Sequence, residues 1–327
     1  MVTLLPVASG KGGVGKSILS SNLGIALARA GKTVVLVDLD LGGANLHTCL
    51  GIRNNKSGIG NLIYKQESNL ESLLVETEER RLHFIPGDSL LPGTANLPYF
   101  QKVKLLRGLR NLVADYVILD LGSGSSYNTV DFFLTASDGI MVVIPETTAI
   151  LNAYSFLKTA LFRLLYRSFP RKSREREYVS EFVARRLEGG SDNFQTLVQG
   201  LGEINPEAAK IAQSHLQAFK PRIVMNMGRS EGDIQVGSKL KGIVAKNLNV
   251  ETQYIGYLPT NKLVPEAIIR RTPVVASHPH CDFSQAVHRL AERIIQARMP
   301  GLLKLFEADD ELAELKEEAL TTGTPTG

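Results

Sequence analysis

The sequence predicts a three-layer α/β fold, in which helices flank a central, mostly parallel sheet. Short continuous apolar runs are typical of strands buried on both faces, and the stretches between them carry apolar residues at helical spacing. Two of these runs end in acidic residues, and the first leads into a glycine-rich turn. The predicted strands are Leu4–Ala8, Thr33–Val37, Leu82–Gly87, Tyr116–Asp120, Ile140–Thr148, Arg222–Met227 and Gln253–Pro259.

The composition favours a chain that buries one large core. The chain has 327 residues, 43% of them hydrophobic, and we expect one domain over residues 1–301. It has no apolar run of about 18 residues, and the first strand begins too early to leave room for a signal peptide. Cys49 and Cys281 are far apart, which favours a reducing cytoplasm over a disulfide. The net charge of +4 is mild, so any binding to nucleic acid or membrane requires local clusters.

The turn after the first strand fits the phosphate-binding pattern Gly-x-x-x-x-Gly-Lys-Ser, with Gly10 and Gly15 as its fixed glycines. Glycines let successive N–H groups and the positive end of the helix dipole point at a phosphate chain. We expect Lys16 to contact the outer phosphates and the Ser17 hydroxyl to contact Mg²⁺. A flexible glycine turn is the alternative, but the strand before it and the helix after it favour binding. The predicted contacts are Gly10, Lys11, Gly12, Gly13, Val14, Gly15, Lys16, Ser17 and Ile18.

Acidic residues follow two of the predicted strands. Asp38 and Asp40 come after the second strand, and Asp120 closes the run Tyr116–Leu119 in a Walker B pattern. Ligands of open α/β sheets bind at the carboxyl ends of strands, so we expect Asp120 to hold a water bound to Mg²⁺. A structural role for acids at strand ends is the alternative.

A second lysine, Lys11, distinguishes this loop from an ordinary phosphate-binding loop. Lys-Gly-Gly-x-Gly-Lys-Ser resembles the deviant Walker A signature of the MinD/ParA family of P-loop ATPases, which position division sites, chromosomes, flagella and other bacterial cargo. The resemblance implies that Lys11 crosses a dimer interface to the partner's ATP. ATP binding and homodimerisation would then be one event.

Other motifs resemble the switch segments and the base site of the same family. Asp38–Leu46 resembles switch I, which implies that Asp40 orients the attacking water near the metal shell. Leu121–Ser125 resembles switch II, which implies that Asp120, Gly122 and Gly124 respond to the γ-phosphate. By resemblance, adenine is contacted by Asn226 and by the backbone of residues Pro259 to Asn261; the family usually has Asp where Asn261 stands.

The segment around Ile150–Tyr154 resembles the flagellar-number (FlhG/FleN) branch, which usually carries Asp where Asn152 stands. A longer linker than in typical members covers about residues 163–220, and nine basic residues against three acidic ones lie between Lys158 and Arg186. Apolar residues recur there at helical spacing, so a basic amphipathic helix is expected. A helical hairpin with solvated arginines and a site for DNA, anionic lipid or an acidic partner both remain open.

Several shorter segments complete the prediction. We expect surface structure over residues 53–66, a helix over Leu70–Val75, and a helix start at Asn205-Pro206-Glu207. His278 to Cys281 is spaced too closely for a structural zinc site. The segment 302–327 predicts an acidic amphipathic helix and a disordered tail, so no strong membrane anchor is expected at the C-terminus.

The expected function is a cytoplasmic Mg²⁺-dependent ATPase whose hydrolysis times the binding of a partner that stimulates it. A peripheral location at the membrane or the nucleoid stays open. A ParA-like DNA-binding protein, a DNA-bound adaptor and an amide-forming ligase of the same fold are the alternatives. An iron–sulfur scaffold ATPase requires paired interface cysteines, and a bacterial tyrosine kinase requires a tyrosine-rich tail. The sequence has neither feature.

Overall fold

The computed structural model describes residues 2–53, 57–63, 69–87, 97, 99–187 and 194–297. The segment 302–327, with its predicted acidic helix, lies outside the described residues. Eight strands form one sheet in the described part of the chain. The strands are β1 (Thr3–Ser9), β2 (Val34–Leu39), β3 (Val75–Glu76), β4 (Leu82–Ile85), β5 (Tyr116–Ser123), β6 (Ile140–Val143), β7 (Arg222–Gly228) and β8 (Gln253–Pro259).

The helices connect these strands and cover the sheet. Those before β7 are α1 (Lys16–Arg29), α2 (Leu46–Cys49), α3 (Ile59–Ile63), α4 (Tyr99–Asn111), α5 (Tyr127–Phe133), α6 (Thr147–Tyr166), α7 (Arg174–Leu187), α8 (Phe194–Ile204) and α9 (Pro206–Ala218). Those after β7 are α10 (Glu231–Leu248), α11 (Leu263–Ile269), α12 (Val274–Ser277) and α13 (Asp282–Gln296).

The order of the strands places β1 at a switch point of the sheet. The order is β3-β4-β2-β5-β1-β6-β7-β8, and every pair is parallel except β3 with β4. After β1 the chain forms β2 to β5 on one side of that strand. It then crosses to the other side and forms β6, β7 and β8. The loops after β1, β2 and β5 therefore meet in the crevice where open α/β sheets bind ligands.

Helices cover the sheet in two groups, which confirms the predicted three-layer α/β class. One group consists of α1, α12 and α13, which pack on one another, and α13 also packs on β8. In the other group, α6 packs against α5, α7, α9 and α10. The central strands β2 and β6 are buried along their whole length, as their unbroken apolar runs predict.

Three local predictions are wrong. The helix predicted over Leu70–Val75 is a 3₁₀ turn, Glu71–Leu73, followed by β3, because a helix this short is unstable alone and β4 offers an edge that pairs with β3. The segment predicted as surface structure contains α3, whose Ile59 and Leu62 are buried. The predicted strand Ile140–Thr148 ends at Val143, because Thr147 already begins α6.

Helices α7 and α8, which lie in the long linker of residues 163–220, pack on α6 through aromatic rings. The predicted amphipathic helix is α7, whose Val179 and Phe182 are buried. The ring of Phe162 on α6 lies 6.3 Å from that of Phe182 and 4.7 Å from that of Phe194. The predicted start of α9 is confirmed, since the Asn205 side chain accepts a hydrogen bond from the N–H of Glu207 at 3.0 Å.

Candidate nucleotide-binding site

The loop between β1 and α1 has the geometry of an anion site. Gly13 and Gly15 adopt left-handed φ values of 78° and 85°, which residues with a Cβ rarely adopt. The first turn of α1 has no acidic residue, and no side chain caps its N–H groups. These groups and the positive end of the helix dipole therefore face the loop, where a phosphate chain can accept their hydrogen bonds.

Gly10 is required by close packing. A Cβ at this position would lie 2.2 Å from the backbone oxygen of Asn152. The start of the loop therefore rests directly on the backbone of α6, and only glycine fits there.

Lys16, Ser17 and Asp120 meet at the base of the loop. Lys16 is 8% exposed and Asp120 is 1% exposed. Burial raises the pKa of Asp120 to about 6, while hydrogen bonds from Ser17 and Ser20 and the charge of Lys16 oppose the rise. The Ser20 hydroxyl donates to Asp120 Oδ1 at 3.0 Å. Sequence reasoning missed Ser20, although its place one helical turn after Lys16 is a usable signal.

Asp38 organises the segment that resembles switch I. Its buried carboxylate accepts hydrogen bonds from the backbone N–H groups of Asp40 at 3.1 Å and Leu46 at 3.0 Å. Burial, together with the charge of Asp120, raises the pKa of Asp38 to about 8. The sequence showed Asp38 only as part of a pattern, whereas the structure shows that it holds both ends of the segment.

The two switch-like segments contact each other at Asp40 and Gly122. A Cβ on Gly122 would lie 3.3 Å from Asp40 Oδ1, so glycine allows the approach. Gly124 has a left-handed φ of 78°, and its N–H donates to the Ser9 carbonyl at 3.0 Å. A movement of either segment would therefore displace residues of the other segment and of the phosphate-binding loop.

Lys11 lies at the exposed edge of the site, where it contacts the loop between β6 and α6. Its Nζ lies 2.9 Å from Glu146 Oε2 and 3.4 Å from Thr148 Oγ1. The side chains of Lys11 and Glu146 are 40% and 53% exposed. Sequence reasoning did not predict this contact.

The residues predicted to bind the base lie at the ends of β7 and β8. The buried Asn226 amide donates to the Val14 carbonyl at 2.9 Å, which joins β7 to the phosphate-binding loop. Pro259 ends β8. The Asn261 side-chain oxygen accepts from the N–H of Leu263 at 2.9 Å, at the start of α11. Asn226 thus borders the loop, while Asn261 also stabilises a helix start.

The oxygen donors of the site fit a magnesium ion that is only partly held by protein. The hydroxyl of Ser17 and the carboxylates of Asp40 and Asp120 are hard donors of the kind that Mg²⁺ binds. In the described ranges, no three His, Cys, Asp or Glu side chains form a cluster able to hold a metal by themselves. Phosphate oxygens and water would therefore have to complete an octahedral shell.

Cys49 contributes no chemistry to the site. Burial raises the pKa of the Cys49 thiol to about 12, with Asp120 and Asp38 adding to the rise, so this cysteine is unreactive.

Within the described parts of the chain, no helix is both long enough and apolar enough to cross a membrane.

The basic insertion exposes less positive charge than its sequence indicates. Arg163 and Arg167 contact the buried carboxylate of Asp131 at 2.8 and 3.4 Å. Arg176 is 4% exposed and stacks 4.3 Å from the ring centre of Tyr166. Part of the basic cluster therefore stabilises the fold.

Comparisons with known proteins agree with this geometry. Residues 5–274 match the family described as the CobQ/CobB/MinD/ParA nucleotide binding domain. The flagellum site-determining protein YlxH of Helicobacter pylori is 36% identical over 161 residues, which cover 47% of this chain and 52% of that protein, about half of each. The antiactivator FleN of Pseudomonas aeruginosa is 26% identical, over 92% of this chain and 89% of that protein.

A solved structure has the same fold. The septum site-determining protein MinD of Pyrococcus horikoshii, complexed with Mg-ADP, superposes with a TM-score of 0.62 at 18% identity. The superposition covers 90% of this chain and 97% of that one. The family match over residues 5–274, the phosphate-binding loop and the sheet together show that this chain belongs to the MinD/ParA family of P-loop ATPases.

Proposed function

We propose that this protein is a Mg²⁺-dependent ATPase that dimerises when it binds ATP and uses this switch to position a bacterial structure such as a flagellum or a division site. The observation that carries the proposal is the position of Lys11. Its side chain extends from the phosphate-binding loop to the surface and, in the described part of the chain, contacts the exposed side chains of a glutamate and a threonine. The names of the relatives YlxH and FleN support a flagellar cargo.

The residues divide the reaction between them. The N–H groups at the start of α1 and the buried Lys16 bind the phosphates, while Ser17 would contact Mg²⁺ directly and Asp120 would hold a water bound to it. When bound, Mg²⁺ neutralises charge on the β- and γ-phosphates. Asp40, half-buried beside Gly122, holds the attacking water in line with the γ-phosphate. Asn226 and the backbone from Pro259 to Asn261 contact the adenine.

A weak contact in the monomer suits a switch. The Lys11–Glu146 pair is exposed, and such pairs contribute at most about 1 kcal/mol. A triphosphate carries several negative charges, and in a closed interface it attracts the ammonium group more strongly than one solvated carboxylate does. Lys11 can therefore leave Glu146 at little cost when a second subunit brings its ATP.

The test replaces Lys11 by Ala. We expect the variant to bind a fluorescent ATP analogue nearly as the parent does, because Lys16 and the helix N–H groups remain. It should not form dimers with ATP in sedimentation experiments and should not hydrolyse ATP. Lys210→Ala is a matched control, since this exposed lysine also pairs with a glutamate, at 3.0 Å. Unchanged dimerisation and turnover in the Lys11 variant would refute the proposal.

Nonspecific DNA is the alternative partner, in the manner of a ParA-like positioning protein. The exposed Arg171, Lys172, Arg174 and Arg185 of the insertion support it. The burial of Arg167 and Arg176 and the ion pair of Arg163 with Asp131 weaken it. Gel shift with nonspecific DNA at two salt concentrations, with and without ATP, decides, because phosphate binding falls steeply with salt. No binding at low salt removes this alternative.

A further inference from the structure

A groove of about 480 Å³ lies between α5, α6 and α7, outside the nucleotide site. Residues from Ser155 to Tyr166 on α6 form its base, and residues from Val179 to Val183 on α7 form one wall. These twelve residues of α6 extend about 18 Å, or just over three turns. The groove is therefore long enough for about three turns of another helix.

The middle of the groove is apolar. Val130, Phe162 and Val183 line it, and Tyr127 on its rim is 75% exposed, which is unusual for so large a ring. An amphipathic helix can place two or three apolar side chains in such a surface and keep its polar face in water.

The charges that border the groove are positive. Lys158 and Arg163 line it, and none of the described lining residues is acidic. The guanidinium of Arg163 lies 5.3 Å from the ring centre of Tyr127. Its position is fixed by Asp131, which also binds Lys102 and Arg167. Three cations thus share this one carboxylate, and Arg163 is the one that borders the groove, so an acidic occupant is complementary.

The groove is continuous with the segment that resembles switch II. Ser126, two residues after Gly124, caps α5 by accepting a hydrogen bond from the N–H of Thr129 at 3.2 Å. Tyr127 and Val130 of the groove lie on this same short helix. A helix bound there would contact the helix that directly follows the switch II segment in the chain.

We infer that this groove docks an acidic amphipathic helix of a partner protein, with its apolar side chains between α6 and α7 and its carboxylates on Lys158 and Arg163. We also expect the bound helix to alter ATP hydrolysis, and this expectation rests on the proposed function. The docking itself does not depend on the proposed function, because no residue of the nucleotide site lines the groove.

The probe is a fluorescent synthetic 18-residue helix with leucine on one face and glutamate beside it, and a second peptide has lysine in place of each glutamate. Binding to the full chain without nucleotide is followed by anisotropy. We expect the glutamate peptide to bind at least about tenfold more tightly than the lysine peptide, because attraction becomes repulsion at two cations. Lys158→Glu should abolish the preference, because one cation and one anion then line the groove, and Ser180→Trp should block both peptides by filling the groove.

Lys246→Glu on α10 is the control and should change neither affinity, since this exposed lysine lies outside the groove. Equal binding of the two peptides, no binding of either, or full binding by the Ser180 variant would overturn the inference. A carbodiimide cross-link from Lys158 to an acidic residue between 307 and 318 of the same chain would also overturn it, because the protein's own segment would then occupy the groove. ATP-dependent dimerisation is measured separately, so that failure of the proposed function can be distinguished from failure of the docking inference.

Discussion

Glu146→Gln removes the charge that holds Lys11 in the monomer and keeps the size of the side chain. The Lys11 Nζ and Glu146 Oε2 atoms lie 2.9 Å apart, and the side chains are 40% and 53% exposed. A pair this exposed contributes at most about 1 kcal/mol. If Lys11 must leave Glu146 in each of the two subunits to reach the partner's ATP, the substitution should tighten ATP-dependent dimerisation by up to about thirtyfold.

Sedimentation velocity over a range of protein concentrations, with a non-hydrolysable ATP analogue, gives the dimer dissociation constant. The gain should shrink as salt rises, because salt screens the lost ion pair in the parent protein. Glu251→Gln is the control: Glu251 lies 2.9 Å from Lys220, and their side chains are 66% and 45% exposed. This pair lies near the starts of β7 and β8, away from the nucleotide site.

Weaker dimerisation of the Glu146 variant, with the control unchanged, would refute the reasoning. It would mean that the carboxylate supports the dimer interface instead of competing for Lys11. An equal gain in both variants would show that the effect comes from net charge and not from the position of the pair.

Three further outcomes are expected. Gly10→Ala should abolish ATP binding in calorimetry, because its Cβ would lie 2.2 Å from the Asn152 oxygen; normal affinity would contradict the packing argument. Asp131→Asn should lower the free energy of unfolding by about 3–5 kcal/mol at pH 7, because buried cations lose their partner. Burial alone would raise the pKa of Asp131, but its cationic neighbours lower it. Its contribution is therefore present above the ordinary carboxyl pKa and is lost as pH falls, so urea unfolding of parent and variant should converge in acid. Cys49, with a pKa of about 12, should resist iodoacetamide at pH 8 until the chain unfolds, and fast labelling of the native protein, read by mass spectrometry, would contradict this.

The sequence alone identified the elements whose signals are local. The strand before Gly10, the loop to Ser17 and the helix after it lie within thirty residues, so their pattern determines the structure without distant contacts. Continuous apolar runs likewise predicted all the central parallel strands, because a strand buried on both faces needs apolar residues at every position.

Predictions from weak or short sequence signals were wrong where contacts with the rest of the chain determine the structure. β3 has two residues and exists because β4 offers an edge to pair with. Ile59 is buried because α3 packs on the core, although its flanking sequence reads as surface. In both places local propensity is too small to compete with tertiary contacts.

The phosphate-binding loop and the acidic ends of the strands around it are predictable from the amino-acid order, because each is a contiguous pattern with one favourable geometry. The folded structure was needed to show that Lys11 contacts Glu146, that Asp38 is buried beside Asp120, and that α5, α6 and α7 leave a groove. These features join residues from distant parts of the chain, and their spacing carries no information until the sheet brings them together. The physical reason is that burial and charge pairing depend on distance in space, whereas a sequence pattern reports only distance along the chain.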